Sequence, residues 1–117
     1  MSFAERFEEL EIWQEARRLH GEVYASLRKC TDYSFRDQMR RAALSVMNNI
    51  SEGFERKTKK DFAHFLDLAK GSAGEVRSMT FAAQDVGVLS GGDSEKLRLA
   101  YDVLSRRIAS FQKHLRA

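Results

Sequence analysis

Between Leu97 and Leu115 the apolar side chains Leu97, Tyr101, Leu104, Ile108, Phe111 and Leu115 recur at alternating steps of four and three residues, with no polar residue in the series. Arg98, Asp102, Arg106, Arg107 and Lys113 occupy the other faces. A 3.5-residue period held this long belongs to a helix that lies nearly parallel to its neighbours and buries one seam against them. Such a helix is not stable alone, so the rest of the chain must supply its partners.

The segment after Thr58 supplies the first. Phe62, Leu66, Ala69, Ala73, Val76, Thr80 and Ala83 keep the same period, and Thr58 followed by Asp61 resembles a capping box with Asp in place of Glu. Helix three therefore starts near Thr58. Gly71 and Gly74 interrupt it, each at a cost of about 1 kcal/mol relative to alanine. A bend would explain them, but close approach of another backbone is the preferred reason.

Helix one is expected from about Glu8 to Lys29, with Trp13, Ala16, His20, Val23 and Leu27 as its stripe and Ile12, Leu19 and Tyr24 widening it. Thr31, Asp32 and Ser34 break the period over Cys30 to Ser34, and Ser34 can cap the second helix. Helix two uses Phe35, Met39, Ala42, Ala43, Val46, Met47 and Ile50, with Gly53 placed to close it in a left-handed conformation. Gly87, Gly91 and Gly92 form the last turn, and Asp93 or Ser94 is the expected cap of helix four. Turns this short return each helix beside the last. The chain therefore reads as all-α, an antiparallel up-and-down four-helix bundle forming a single domain over 1–117.

Composition agrees with that reading. Proline is absent from the 117 residues, 32% are charged and 43% apolar, which suits uninterrupted amphipathic helices. One cysteine, Cys30, cannot build a disulfide framework. Charges interrupt every stretch that approaches the roughly 20 apolar residues of a membrane span. No basic segment followed by an apolar run opens the sequence, so a cytoplasmic protein without membrane contact is expected.

The residues give little for catalysis. His64 with Asp61 makes half of a carboxylate-bridged metal motif, but the motif is needed twice, and neither His20 nor His114 follows an acidic residue by three positions. No histidine lies near Cys30 in sequence, and Gly91-Gly92 lacks the strand and the Lys-Ser/Thr of a phosphate loop. No metal, cofactor or enzymatic activity is expected.

The basic groups are more informative. The net charge is +3, and Arg17 with Arg18, Arg28 with Lys29, Arg40 with Arg41, and Arg56, Lys57, Lys59 and Lys60 form clusters, the last the densest. That tract falls at the start of helix three, where free backbone N–H groups also attract anions. Arg17, Arg18, Arg40, Arg41, Arg56, Lys57, Lys59 and Lys60 are thus the candidate phosphate-binding set; the bland alternative is an ordinary solvated surface. Asn48 and Asn49 interrupt helix two near Ser45 and Ser51. Either they bond across the bundle to groups such as Ser72 or Glu75, the favoured reading, or they face another subunit.

The segments Glu9 to Ala16, Gln38 to Ala43, Asn49 to Gly53, Asp61 through Phe65-Leu66 to Ala69, and Gly71 to Glu75 together resemble the four-helix bundle proteins of the 23S rRNA intervening-sequence family. The resemblance runs from about Phe7 to Leu115. It departs in two places: Thr31-Asp32 stands where a proline is common, and Ser51 where alanine is usual. It implies an antiparallel bundle that assembles as a homopentamer. A related group, the accessory variability proteins of diversity-generating retroelements, implies by analogy a basic surface for RNA or DNA and a reverse transcriptase-like partner. The expectation is a non-enzymatic, oligomeric nucleic-acid-binding protein. The alternative is a protein interaction module whose basic residues serve only solubility.

Overall fold

Helices form where the apolar spacing places them. In the computed structural model, which describes residues 4–116, a 3-10 turn at Phe7–Glu9 precedes α1 (Glu11–Ser26), α2 (Tyr33–Phe54), α3 (Lys59–Asp85) and α4 (Gly91–Arg116). The expected domain bounds 1–117 include residues outside that range. The described chain forms a rod of 46 × 20 × 19 Å.

Cross-helix contacts fix the directions. Gly53 late in α2 lies against Phe62 and Phe65 early in α3, while Ser45 meets Ser72 further along both. Arg98 reaches Thr80 and Gln84, and Gln112 reaches Ala63, so α4 runs antiparallel to α3. Arg40 donates to the Tyr24 carbonyl, joining the first half of α2 to the end of α1. A groove lined by Leu10, Ile12, Phe111 and His114 sets the start of α1 beside the end of α4. The result is an up-and-down bundle in which α3 packs most extensively, on α2 and α4, and α1 less so.

One core runs the length of the rod. Its fully buried members include Leu19, Leu27, Met39, Ile50, Leu66, Tyr101, Leu104 and Ile108. The seam of helix four holds, with one refinement: Phe111 is only partly buried, while Gln112 is buried and donates to the Ala63 carbonyl (2.7 Å) and to Asp67 (2.6 Å). Burial raises the Tyr101 phenol above its ordinary range, and its hydroxyl has no partner among the described residues.

Several local expectations change. Helix one is shorter than Glu8 to Lys29, because Leu10 takes an extended conformation (φ −73°, ψ 127°) that separates the 3-10 turn from α1 while its side chain stays buried. Ile12, Ala16, Leu19, Val23 and Leu27 carry the burial, Trp13 packs partly buried at the core's edge, and His20 and Tyr24 turn to the flank beside α2. Asp32, not Ser34, caps α2 by accepting from the Phe35 N–H (3.1 Å). Gly53 is not a left-handed closer. It sits inside α2, where an added Cβ would stand 2.7 Å from the Phe65 Cβ. Gly71 and Gly74 meet the opposite result, since among the described residues a Cβ at either finds nothing of another element within 4 Å.

The remaining caps divide in the same way. Thr58 accepts from the Asp61 N–H (3.0 Å), as the capping pattern required. Gly87 closes α3 at φ 77°, with Val88 N–H bonded to the Ala83 carbonyl and Gly87 N–H to the Gln84 carbonyl, a Schellman closure. Ser90 rather than Asp93 or Ser94 caps α4, leaving Gly91 and Gly92 in its first turn and Ser94 buried.

Candidate nucleic-acid interface

The basic residues singled out by sequence do not share one surface. Arg17 and Arg18 are adjacent in the chain, but one helical step of about 100° points them apart. Arg18 turns towards α4's side and is bonded to Glu15 and to Glu22 (2.9 Å). The Arg18 hydrogen bond holds the Glu15 carboxyl below its usual range, and Glu15 in turn raises the Arg18 guanidinium. Arg17 instead stands 5.7 Å from the Trp13 ring centroid, on the flank facing α2.

Arg40 and Arg41 diverge in the same way. Arg40 is half-buried, lies 3.6 Å over the Tyr24 ring and donates to the Tyr24 carbonyl (2.9 Å). Arg41 is exposed on the outward side of α2. In the second turn, Arg56 bonds to Glu52 (3.3 Å) and covers the Phe65 ring at 4.6 Å. Lys57, Lys59 and Lys60 are exposed, and none joins an ion pair among the described residues.

The turn lysines have company that the sequence pattern did not reveal. A surface cleft of about 320 Å³ is lined by Lys59, Lys60, Ala63, Leu115 and Arg116, because the end of α4 returns beside the start of α3. Arg116 also lies 3.9 Å from Asp67, whose carboxyl is held below its usual range, first by the Gln112 hydrogen bond and then by Lys70. Three or more cations thus converge on one end of the rod. The chemistry they offer is attraction of an anion in open solvent.

A second feature escapes the sequence pattern. Among the described residues, arginines lie over aromatic rings: Arg17 on Trp13, Arg36 on Tyr33 (4.6 Å), Arg40 on Tyr24, Arg56 on Phe65, and Arg98 on Phe81 (3.7 Å). Trp13–Arg17 and Tyr33–Arg36 are visible as i, i+4 and i, i+3 spacings. Arg40–Tyr24 and Arg98–Phe81 join different helices, and Arg56–Phe65 joins the α2–α3 turn to α3, so these three needed the bundle register. Among the described residues no group of three His, Cys, Asp or Glu is placed to hold a metal ion, and no helix is long and apolar enough to cross a membrane.

Four antiparallel helices around one apolar core, with charged groups confined to faces and ends, define an all-α four-helix bundle protein. Within that class the chain belongs to the 23S rRNA-intervening sequence protein family, whose sequence profile matches residues 8–110. Among solved structures it is similar to a protein of unknown function from the S23 ribosomal protein family of Bacteroides thetaiotaomicron VPI-5482. The TM-score is 0.81 at 16% identity, over 87% of this chain and 98% of that one, a likeness of fold. No curated protein matches the sequence.

Proposed function

We propose that this protein is a non-enzymatic, oligomeric, cytoplasmic bundle protein that binds nucleic acid, RNA or DNA, through its basic surface. The observation that carries this reading is the end of the rod, where Lys57, Lys59 and Lys60 stand exposed and outside every ion pair among the described residues, beside the cleft shared with Arg116. Phosphates compete for such lysines without first breaking a carboxylate contact, as they must at Arg18. A family named for an rRNA intervening sequence supports the same partner.

Titration of structured RNA at several salt concentrations tests it, because each neutralised phosphate steepens the log–log salt dependence by roughly 0.7 to 0.9. Binding that weakens with salt is expected. No binding at low salt sinks the proposal.

Assembly into a homo-oligomer, a pentamer by family resemblance, is supported by the outward side of α3. Gly71, Ser78 and Ala82 are exposed there with Leu68 (44%) and Phe81 (54%) nearby. This side also favours the second reading, a module that docks a protein partner such as a reverse transcriptase-like enzyme. Light scattering on wild type and Gly71→Gln reports whether subunits meet on it; a monomeric wild type rules out the oligomer.

A further inference from the structure

We infer that the flank between α1 and α2 is a ledge for single-stranded nucleic acid, with bases stacking on Tyr24 and Tyr33 and phosphates held by Arg17, Arg36 and Arg40. This deepens the nucleic-acid reading above and rests on it.

The ledge arises from register. The Arg40 bond to the Tyr24 carbonyl sets those residues level, so Arg17 lies about 10 Å along the rod on one side and Arg36 about 6 Å on the other, at 1.5 Å per residue. Trp13, Tyr24 and Tyr33 therefore succeed one another along one flank, each with its own arginine. Tyr24 keeps 50% and Tyr33 59% of its surface open although a guanidinium covers one side of each ring. A ring held by a cation with half or more of its surface open is a stacking platform, and every base offers it a flat face; at Tyr24 the tilted His20 ring stands 6.1 Å away.

Charge selects the occupant. Between Arg17 and Arg40 this flank and its turn carry Arg17, Arg28, Lys29, Arg36 and Arg40. Asp32 accepts from the Phe35 N–H, and Asp37 pairs with Arg36 at 2.9 Å, a contact that a phosphate at Arg36 displaces, while Arg17 and Arg40 pair with no carboxylate among the described residues. A second copy packed symmetrically would set arginines against arginines. A duplex would offer phosphates but keep its bases stacked on one another, leaving both tyrosines unused. A single strand uses rings and cations together.

The experiment is a fluorescence anisotropy titration of the full chain with a short labelled oligouridylate and, separately, a duplex RNA of the same length. Tyr24→Leu/Tyr33→Leu is the test variant. Tyr33→Ala, at the exposed start of α2, serves as a second variant that spares the Arg40 platform. Circular dichroism and light scattering check fold and assembly.

The wild type is expected to bind the single strand at least about fivefold more tightly than the duplex. The double variant should lose at least about tenfold for the single strand, with its salt slope unchanged and duplex binding intact. Equal affinity for both probes, or a folded double variant that binds the single strand as the wild type does, overturns the ledge and leaves nucleic-acid binding standing. A change of oligomeric state without a change in binding also overturns it, making the flank a subunit contact. Failure to bind either probe at low salt removes the parent reading as well.

Discussion

The two basic regions of the rod hold their charges in different ways. On the α1–α2 flank, Arg17, Arg36 and Arg40 lie on rings, and Arg40 is also bonded to backbone. At the α2–α3 turn, Lys57, Lys59 and Lys60 stand in water. The flank orders its cations before any partner arrives, so little rotamer entropy remains to be lost on binding, and the guanidinium planes are presented edge and face. The turn presents mobile point charges, suited to drawing in a polyanion without choosing among its shapes. Equal formal charge thus gives position in one region and attraction in the other.

The strongest way to break this contrast is charge reversal. Lys57→Glu/Lys59→Glu/Lys60→Glu is expected to weaken RNA binding at low salt by roughly a hundredfold and to flatten the salt dependence, with the urea midpoint unmoved. If neutralising Arg17 and Arg36 flattens the salt slope as much, the two regions do the same work and the distinction fails.

Stability gives the next largest effects. Gly53→Val should cost about 1–3 kcal/mol in urea unfolding, because its side chain collides with Phe62 and Phe65 beneath Arg56. Gly71→Ala and Gly74→Ala, open to solvent, should instead stabilise the folded chain by up to about 1 kcal/mol each. A loss at either of those two would show that another subunit's backbone presses there.

Tyr24→Ala should cost about 1 kcal/mol, since Arg40 loses its platform while its Nε stays buried. Lys59→Ala should stay within about 0.5 kcal/mol of wild type. Equal costs would mean that the flank is no better ordered than the turn.

The smallest expected effect is with pH. Glu15 and Asp67 have folded-state pKa values below their unfolded ones, so their ionised forms stabilise the fold above about pH 4, and that contribution is lost as pH falls through the folded values. Urea midpoints should therefore drop slightly between pH 6 and pH 2, and Arg18→Gln should shallow the drop. A midpoint that rises on acidification contradicts the assignment.

Sequence makes legible whatever a single helix decides. The Leu97 to Leu115 seam, the Thr58 cap and the glycine closure at Gly87 depend on residues a few positions apart, and all three hold. The choice between Asp32 and Ser34 as cap is not legible locally, because both side chains suit that role and the answer depends on where α2 begins, at Tyr33. Gly53 departs from its expected role for a similar reason: its cause lies in Phe62 and Phe65, which arrive only when α3 returns. The basic set is legible as residue types but not as surfaces. Whether an arginine meets Glu22, Tyr24 or water depends on a rotation of one residue, and on a neighbouring helix whose register no local pattern states.

That register has a lock of its own. Ser45 shares a hydrogen bond with Ser72 (2.8 Å), and Asn49 donates to both the carbonyl (2.9 Å) and the hydroxyl (3.0 Å) of Ser45, midway along the α2–α3 contact. Alanine- and glycine-rich surfaces slide over one another at small cost, but this cluster ties the two helices at a stated level. Displacement by one turn, about 5.4 Å, would part the two hydroxyls and bring Ser72 level with Arg41 or Asn49 instead. The cluster acts as a detent: sliding of α2 along α3 must break the Ser45–Ser72 bond before another can form.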